Sequence, residues 1–127
     1  RAVWVKSSGL VTETVIYASK PGQKNPSFID TLYVSDWGSG TYLTSLAASG
    51  DTILYAVAKV DYTPGEGGGW SLTGGGVRRF AGHPHSRQVH GIPPAFRIAT
   101  TGRRIAVVPA VLGGPIGADL TAAPNGP

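Results

Sequence analysis

Short hydrophobic and β-branched runs alternate along the chain with turns rich in glycine, proline and small polar residues. Runs of this kind, bounded by turn residues and without the 3.6-residue hydrophobic spacing of a helix, predict β-strands. No segment combines helical spacing with capping residues, so no helix is predicted. The predicted strands are residues 2–6, 12–19, 28–35, 42–47, 52–62, 70–73, 77–81, 95–100 and 104–108.

Two of these segments carry a more specific prediction. The run at residues 52–62 is the longest and alternates least between polar and apolar positions, so we expect it to be buried on both faces. Gly74, Gly75 and Gly76 separate two short runs, a pattern that predicts a hairpin turn. Residues 82–94 are predicted to form an irregular loop.

Composition supports an all-β chain of one domain. The 127 residues include 19 Gly and 10 Pro, and only 14% are charged; this profile suits many turns and disfavours a helical bundle. The chain has no Cys, which excludes a disulfide framework and a thiolate zinc site. No apolar run approaches the roughly 18 residues that span a bilayer, so no membrane span is expected.

A sequence repeat predicts the architecture. Residues 45–56 align with residues 97–108, 52 positions later, and residues 52–55 align with residues 1–4 at an offset of 51. The three apolar strands in these copies predict equivalent buried positions for Val3, Leu54 and Val107. A period of about 40–50 residues with about four strands is typical of β-propeller blades.

Shorter motifs recur inside the repeat. The segment at residues 32–43, with Asp36, Trp37 and Gly38 in its turn, is matched by residues 70–80. In this order of strand, turn and aromatic strand, the chain resembles secreted bacterial β-propellers of the TolB and WD40-like type. The resemblance implies four-stranded antiparallel blades in an incomplete propeller, with a secreted or periplasmic location. The expected division is blade one at residues 1–49, blade two at 50–101 and the start of a third at 102–127.

The ends of the chain favour a piece of a longer protein. The sequence begins with Arg1 directly before a strand, and it ends in an Asn125-Gly126 turn that would lead into another strand. Two blades leave open edges, so the expected partners are the remaining propeller blades or identical chains that complete a ring. A β-sandwich of about eight strands is the alternative fold.

Charge is distributed unevenly. Lys and Arg together number 11 against 7 acids, a net charge of +4, and no acid lies between Gly67 and Ala118. Such a basic half fits an anionic partner, whereas the simpler interpretation is that charges keep strand edges soluble. No Lys/Arg-rich run or RNA-binding aromatic motif accompanies these arginines, so nucleic acid is not an expected partner.

The candidate ligand-binding residues are His83, His85, Arg87 and His90 in the 82–94 loop, and Trp37 in its turn. The cationic loop is expected to meet an anionic group or a neighbouring subunit, and its deletion to leave stability nearly unchanged. The histidines could bind zinc or copper, but no carboxylate lies within 15 residues and Arg87 would repel a cation, so no metal is predicted. Trp37 is a candidate for stacking on a sugar.

No catalytic constellation is recognisable. The sequence has no Gly-x-Ser-x-Gly elbow, and its glycine clusters lack the Gly-Lys-Ser/Thr end of a phosphate loop. The predicted function is therefore that of a non-enzymatic binding or scaffold module without a cofactor, whose ligand is a protein or a glycan. The alternatives are the propeller domain of a larger hydrolase or peptidase, and a carbohydrate-binding propeller.

Overall fold

The computed structural model describes residues 2–7, 13–35, 38–80, 86–109 and 116–119, which form strands and turns without a helix. The strands are β1 (Ala2–Ser7), β2 (Glu13–Ser19), β3 (Ser27–Tyr33), β4 (Gly40–Ser49), β5 (Thr52–Thr63), β6 (Gly69–Phe80), β7 (Ser86–Gln88), β8 (Ala95–Thr100), β9 (Arg104–Pro109) and β10 (Ile116–Asp119). They form three antiparallel sheets: the N-terminal sheet β1–β2–β3, the central sheet β4–β5–β6–β7 and the C-terminal sheet β8–β9–β10. The all-β prediction is confirmed.

The central sheet is the middle layer of the fold, because both faces of β5 are covered. Ile53, Tyr55 and Val57 belong to one apolar cluster with residues of β2 and β3. Leu54 and Ala56, on the other face, belong to a second cluster with residues of β8 and β9. Residues 52–58 are all buried, which confirms the prediction of burial on both faces for this part of the strand. The prediction is wrong for the rest of β5, where residues 59–63 alternate between exposed and half-buried.

The hairpin predicted at residues 74–76 is wrong, since β6 runs through all three glycines. Gly75 and Gly76 have φ values of 125° and 150°, and a β-bulge lies just beside them, where Lys59 pairs with Gly74 but Val60 pairs with Leu72. A Cβ at Gly75 would lie 2.3 Å from the carbonyl oxygen of Val57. The glycines therefore allow a close approach of β5 and β6 in a bulged ladder, rather than reversing the chain.

The prediction of an irregular loop at residues 82–94 is also wrong for part of this segment. Residues 86–88 form β7, the fourth strand of the central sheet, which pairs with β6. Val89 and Ile92, just after it, are buried in the cluster shared with the C-terminal sheet. A strand of three residues is too short to show an alternating pattern, which explains why it was not predicted. The short β10 was missed for the same reason.

The 52-residue repeat corresponds to two hairpins that lie side by side, β4–β5 and β8–β9. Their turns contain Gly50 and Gly102, with φ values of 58° and 98°. The Ile98 amide donates to Ser45 Oγ over 3.0 Å, and Thr44 Oγ1 donates to the Ala95 carbonyl over 2.6 Å. Sequence repeat and spatial stacking thus coincide at these hairpins. The predicted blade boundary at residue 49 falls between β4 and β5, which are paired neighbours in one sheet.

The proposed equivalence of Val3, Leu54 and Val107 is wrong. Leu54 and Val107 lie in the same apolar cluster, one from each of the two facing sheets. The residue 52 positions before Val107 is Tyr55, and both are buried against the sheet that precedes their own. Val3 lies on β1, an edge strand, whereas β5 and β9 are interior strands; its side chain is outside the described part.

Candidate functional site

Two of the five predicted site residues lie in the described part of the chain. Arg87 is exposed on β7, and His90 is exposed in the turn that follows this strand. Trp37, His83 and His85 lie outside the described residues. The structure therefore places Arg87 on the edge strand of the central sheet and His90 two residues beyond the end of that strand.

The pairing of β7 with β6 separates Arg87 from its neighbour Gln88. Arg87 is opposite Arg79, and Gln88 is opposite Arg78. Because successive residues of a strand point to opposite faces, Gln88 and Arg78 share one face and the Arg79–Arg87 pair shares the other. The second of these faces carries two like charges directly opposite each other, an arrangement that keeps an edge strand from pairing with another chain.

A small polar cavity opens on the face that carries Arg78 and Gln88. It has a volume of about 50 Å³ and is lined by Val57, Lys59, Gly75, Gly76, Arg78 and Gln88. We call it the β5–β7 pocket, since its lining comes from these three strands. Its polar side chains are an ammonium, a guanidinium and an amide, so hydrogen-bond donors predominate.

Arg78 is held in place by a network that joins two sheets. Its Nη1 donates to Asp30 Oδ2 over 3.1 Å, and the Tyr55 hydroxyl donates to the same oxygen over 2.6 Å. The amide of Thr31 donates to Asp30 Oδ1 over 2.8 Å. Asp30 belongs to β3 in the N-terminal sheet, whereas Tyr55 and Arg78 belong to the central sheet. The network fixes Arg78 beside the pocket and ties the sheets together.

Tyr55 serves this network as a neutral donor. Burial of the side chain, and then its hydrogen bond to Asp30, raise the pKa of the Tyr55 hydroxyl well above its usual range. A phenol with a raised pKa keeps its proton at physiological pH. Tyr55 therefore orients the carboxylate and is unsuited to act as a base.

Gly76 shapes the pocket floor. A Cβ at this position would lie 3.0 Å from the carbonyl oxygen of Ile92 and 3.2 Å from Gln88 Nε2. Contacts this close would push the Gln88 amide away from its position. The sequence missed this site because the glycines were interpreted as a turn. A glycine inside a strand often marks the close approach of another backbone or a ligand. The glycines that precede Arg78 are therefore the sequence signal that could have revealed this site.

A second exposed feature lies at the end of the β5–β6 ladder. Trp70 is 62% exposed, and its ring centroid lies 4.8 Å from that of Tyr62 at an interplanar angle of 48°. Its ring also packs on Gly38, where a Cβ would lie 2.4 Å from Cη2. The Tyr42 hydroxyl donates to the Gly38 carbonyl over 2.6 Å and holds Gly38 in position under the Trp70 ring. Trp70 is thus a fixed aromatic surface open to solvent.

Within the described residues, no group of three or more His, Cys, Asp or Glu side chains is placed to hold a metal ion. The same part of the chain contains no helix long and apolar enough to cross a membrane. No protein-family model matches the sequence, and no curated protein or solved structure matches it either. The resemblance to TolB and WD40-like propellers accordingly stays a prediction.

Proposed function

We propose that this chain is a non-enzymatic scaffold and binding module, a segment of a β-propeller in which successive antiparallel sheets stack face to face. The observation that carries the proposal is the agreement between the sequence repeat and the stacking. The hairpins β4–β5 and β8–β9 are 52 residues apart and adjacent in space. Repeats that contact only their neighbours build scaffolds of this kind.

The outer face of the C-terminal sheet supports the proposal further. Ala106 and Val108 lie 52 positions after Leu54 and Ala56, which the C-terminal sheet buries. If the repeat continued, Val108 would be buried by a further sheet as Ala56 is, but Val108 is 44% exposed. Phe96, beside it in the sheet, is 64% exposed. A depression of about 320 Å³ on this sheet is lined in part by Ala99, Ala106 and Gly117. The face also carries Arg97, opposite Val108, and Arg104, which lines the depression. Exposed apolar side chains bordered by charged ones are typical of an interaction surface.

The occupant we propose for this face is the N-terminal sheet of a second copy of the chain. That sheet exposes Tyr33 at 65% and Phe28 at 41%, so it offers aromatic side chains to an apolar partner. The contact is heterologous and continues the stacking of the sheets within one chain. Contacts of this type close into rings when the rotation permits, and a ring of sheets is a propeller.

Sedimentation velocity on the chain and on Val108→Lys tests the proposal. We expect the native chain to associate as its concentration rises, and Val108→Lys to remain monomeric because a buried ammonium would lack a partner. Leu72→Lys is the matched control, since Leu72 is 41% exposed but lies in β6. A native chain that stays monomeric at its highest soluble concentration, or a control that dissociates equally, would overturn the proposal.

Trp70 favours carbohydrate as a second candidate ligand. An exposed aromatic ring fixed by its neighbours can stack on a sugar face with little loss of entropy. Glycan-array binding that is lost in Trp70→Ala, and kept in Leu72→Ala, would support this function. Binding that is unchanged in Trp70→Ala would remove it. The hydrolase alternative concerns a catalytic domain outside this chain and stays a prediction.

A further inference from the structure

The β5–β7 pocket is lined by two cationic side chains, Lys59 and Arg78. The carboxylates near the pocket neutralise only part of their positive charge. In the described part of the chain, Lys59 makes no ion pair, whereas Lys20 pairs with Asp51 and Arg78 with Asp30. No acid lies between Gly67 and Ala118, so β6 and β7 contribute no carboxylate to the pocket. A net positive charge therefore remains at the pocket.

The guanidinium of Arg78 is oriented before any ligand arrives. Asp30 accepts a hydrogen bond from one of its terminal nitrogens and is itself held by the Tyr55 hydroxyl and the Thr31 amide. The Asp30 and Arg78 side chains are 27% and 30% exposed, so both are restricted by packing. The remaining donors of the planar guanidinium have a fixed direction. Pre-orientation of this kind lowers the entropy that binding costs.

The volume of the pocket limits what can enter it. A cavity of about 50 Å³ corresponds to about three to five water-sized spheres, at roughly 10–15 Å³ for each. This volume suits a carboxylate or a tetrahedral oxyanion and excludes a sugar ring or an aromatic group. Gly76 keeps the volume open, because a side chain there would meet the Gln88 amide.

We propose that the β5–β7 pocket binds a small oxyanion, either a carboxylate or a tetrahedral sulfate or phosphate group. Arg78 donates directed hydrogen bonds to the anion, Lys59 supplies a second positive charge, and the Gln88 amide donates a neutral hydrogen bond. Lys59, Arg78 and Gln88 come from three adjacent strands of one sheet. The site therefore belongs to a single chain, and the inference does not depend on stacking between chains.

Titrations followed by amide NMR test this inference. The probes are sodium acetate, sodium sulfate and sodium phosphate, each added to the full chain at constant ionic strength. We expect saturable shifts of the Gly75, Gly76 and Gln88 amides with at least one probe. A response to acetate alone assigns a carboxylate ligand, whereas a response to sulfate and phosphate assigns a tetrahedral one. The absence of saturable shifts at these amides with all three probes would overturn the proposal.

The variant Lys59→Gln separates a built site from general attraction to a basic chain. Lys59 is exposed, so the variant keeps the fold, and thermal denaturation checks this. We expect its affinity to fall by about tenfold or more, as for the loss of one charge-assisted hydrogen bond. Lys24→Gln removes the same charge from an exposed turn and should bind as the native chain does. Equal losses in the two variants would contradict the assignment.

Discussion

At the residue scale, the raised pKa of Tyr55 makes folding stability depend on pH. An unfolded tyrosine loses its proton near pH 10, whereas folded Tyr55 retains it to higher pH because of burial and the bond to Asp30. Above about pH 10 the folded state binds more protons than the unfolded state, so stability decreases as pH rises further. The stability that depends on this proton is fully present at neutral pH.

The variant Tyr55→Phe isolates this effect. At pH 7 it should be less stable by about 1–3 kcal/mol, since Asp30 loses a buried donor. The difference from the native chain should shrink as the pH rises above about 10. Urea denaturation at pH 7, 9 and 11 measures it. A difference that stays constant across this range would show that the Tyr55 proton does not contribute.

Neighbouring glycines in β6 provide a matched pair. Gly75 has a φ of 125°, and a Cβ there would lie 2.3 Å from the Val57 oxygen, so Gly75→Ala should cost about 2 kcal/mol or more. At Gly74 the nearest atom to a Cβ is Lys59 Cδ at 3.7 Å, an ordinary contact. Gly74→Ala should therefore stay within about 1 kcal/mol of the native chain. Chemical denaturation that gives equal costs would contradict the bulged ladder.

The same residues show why the candidate site could be predicted only in part. The sequence located a basic, acid-free segment and singled out Arg87, which the structure places on the edge strand β7, and His90, which it places in the following turn. It did not indicate Arg78 and Gln88, because their position beside the pocket depends on which residues pair across β6 and β7. A shift of one residue in that register would exchange the two faces.

At the scale of the element, β7 and the residues after it have a structural role. Val89 is 4% exposed and packs in the cluster shared with the C-terminal sheet, whereas His90 is exposed. Val89→Ala should cost about 1–3 kcal/mol, and His90→Ala should change stability by no more than about 0.5 kcal/mol. Thermal denaturation of the two variants measures this contrast. Equal stabilities would mean that the segment does not pack on the core.

This burial also changes the expected outcome of removing the segment. Deletion of residues 83–90 removes β7 together with Val89, so it should destabilise the chain instead of leaving its stability unchanged. The sequence did predict several other strands well. β8 begins and ends as predicted, and β5 differs by one residue at its end. These strands are long and apolar enough to be recognised from the sequence pattern. β7 has no such pattern, because it is stabilised by its tertiary pairing.

At the scale of the whole molecule, the repeat predicted which hairpins are related but not which residues face each other. The offset of 52 aligns β4–β5 with β8–β9, and both turns place a glycine at positive φ. Leu54 and Val107 are 53 positions apart, one more than the repeat offset. Because of this difference of one residue, they lie on facing sides of the same interface instead of in equivalent positions. The alternation of a strand makes facing sensitive to one position. Assignment of faces therefore needed the structure.

The stacked arrangement of the sheets depends on the position of β5 between the N-terminal and C-terminal sheets. Methyl-to-methyl NOEs in a chain labelled at Ile, Leu and Val test this most directly. We expect Leu54 to show NOEs to Ile105 and Val107 of β9, and Ile53 to show them to Ile16 and Leu32 of the N-terminal sheet. NOEs that link both Leu54 and Ile53 to the same sheet, or the absence of any between Leu54 and β9, would contradict the stacked arrangement.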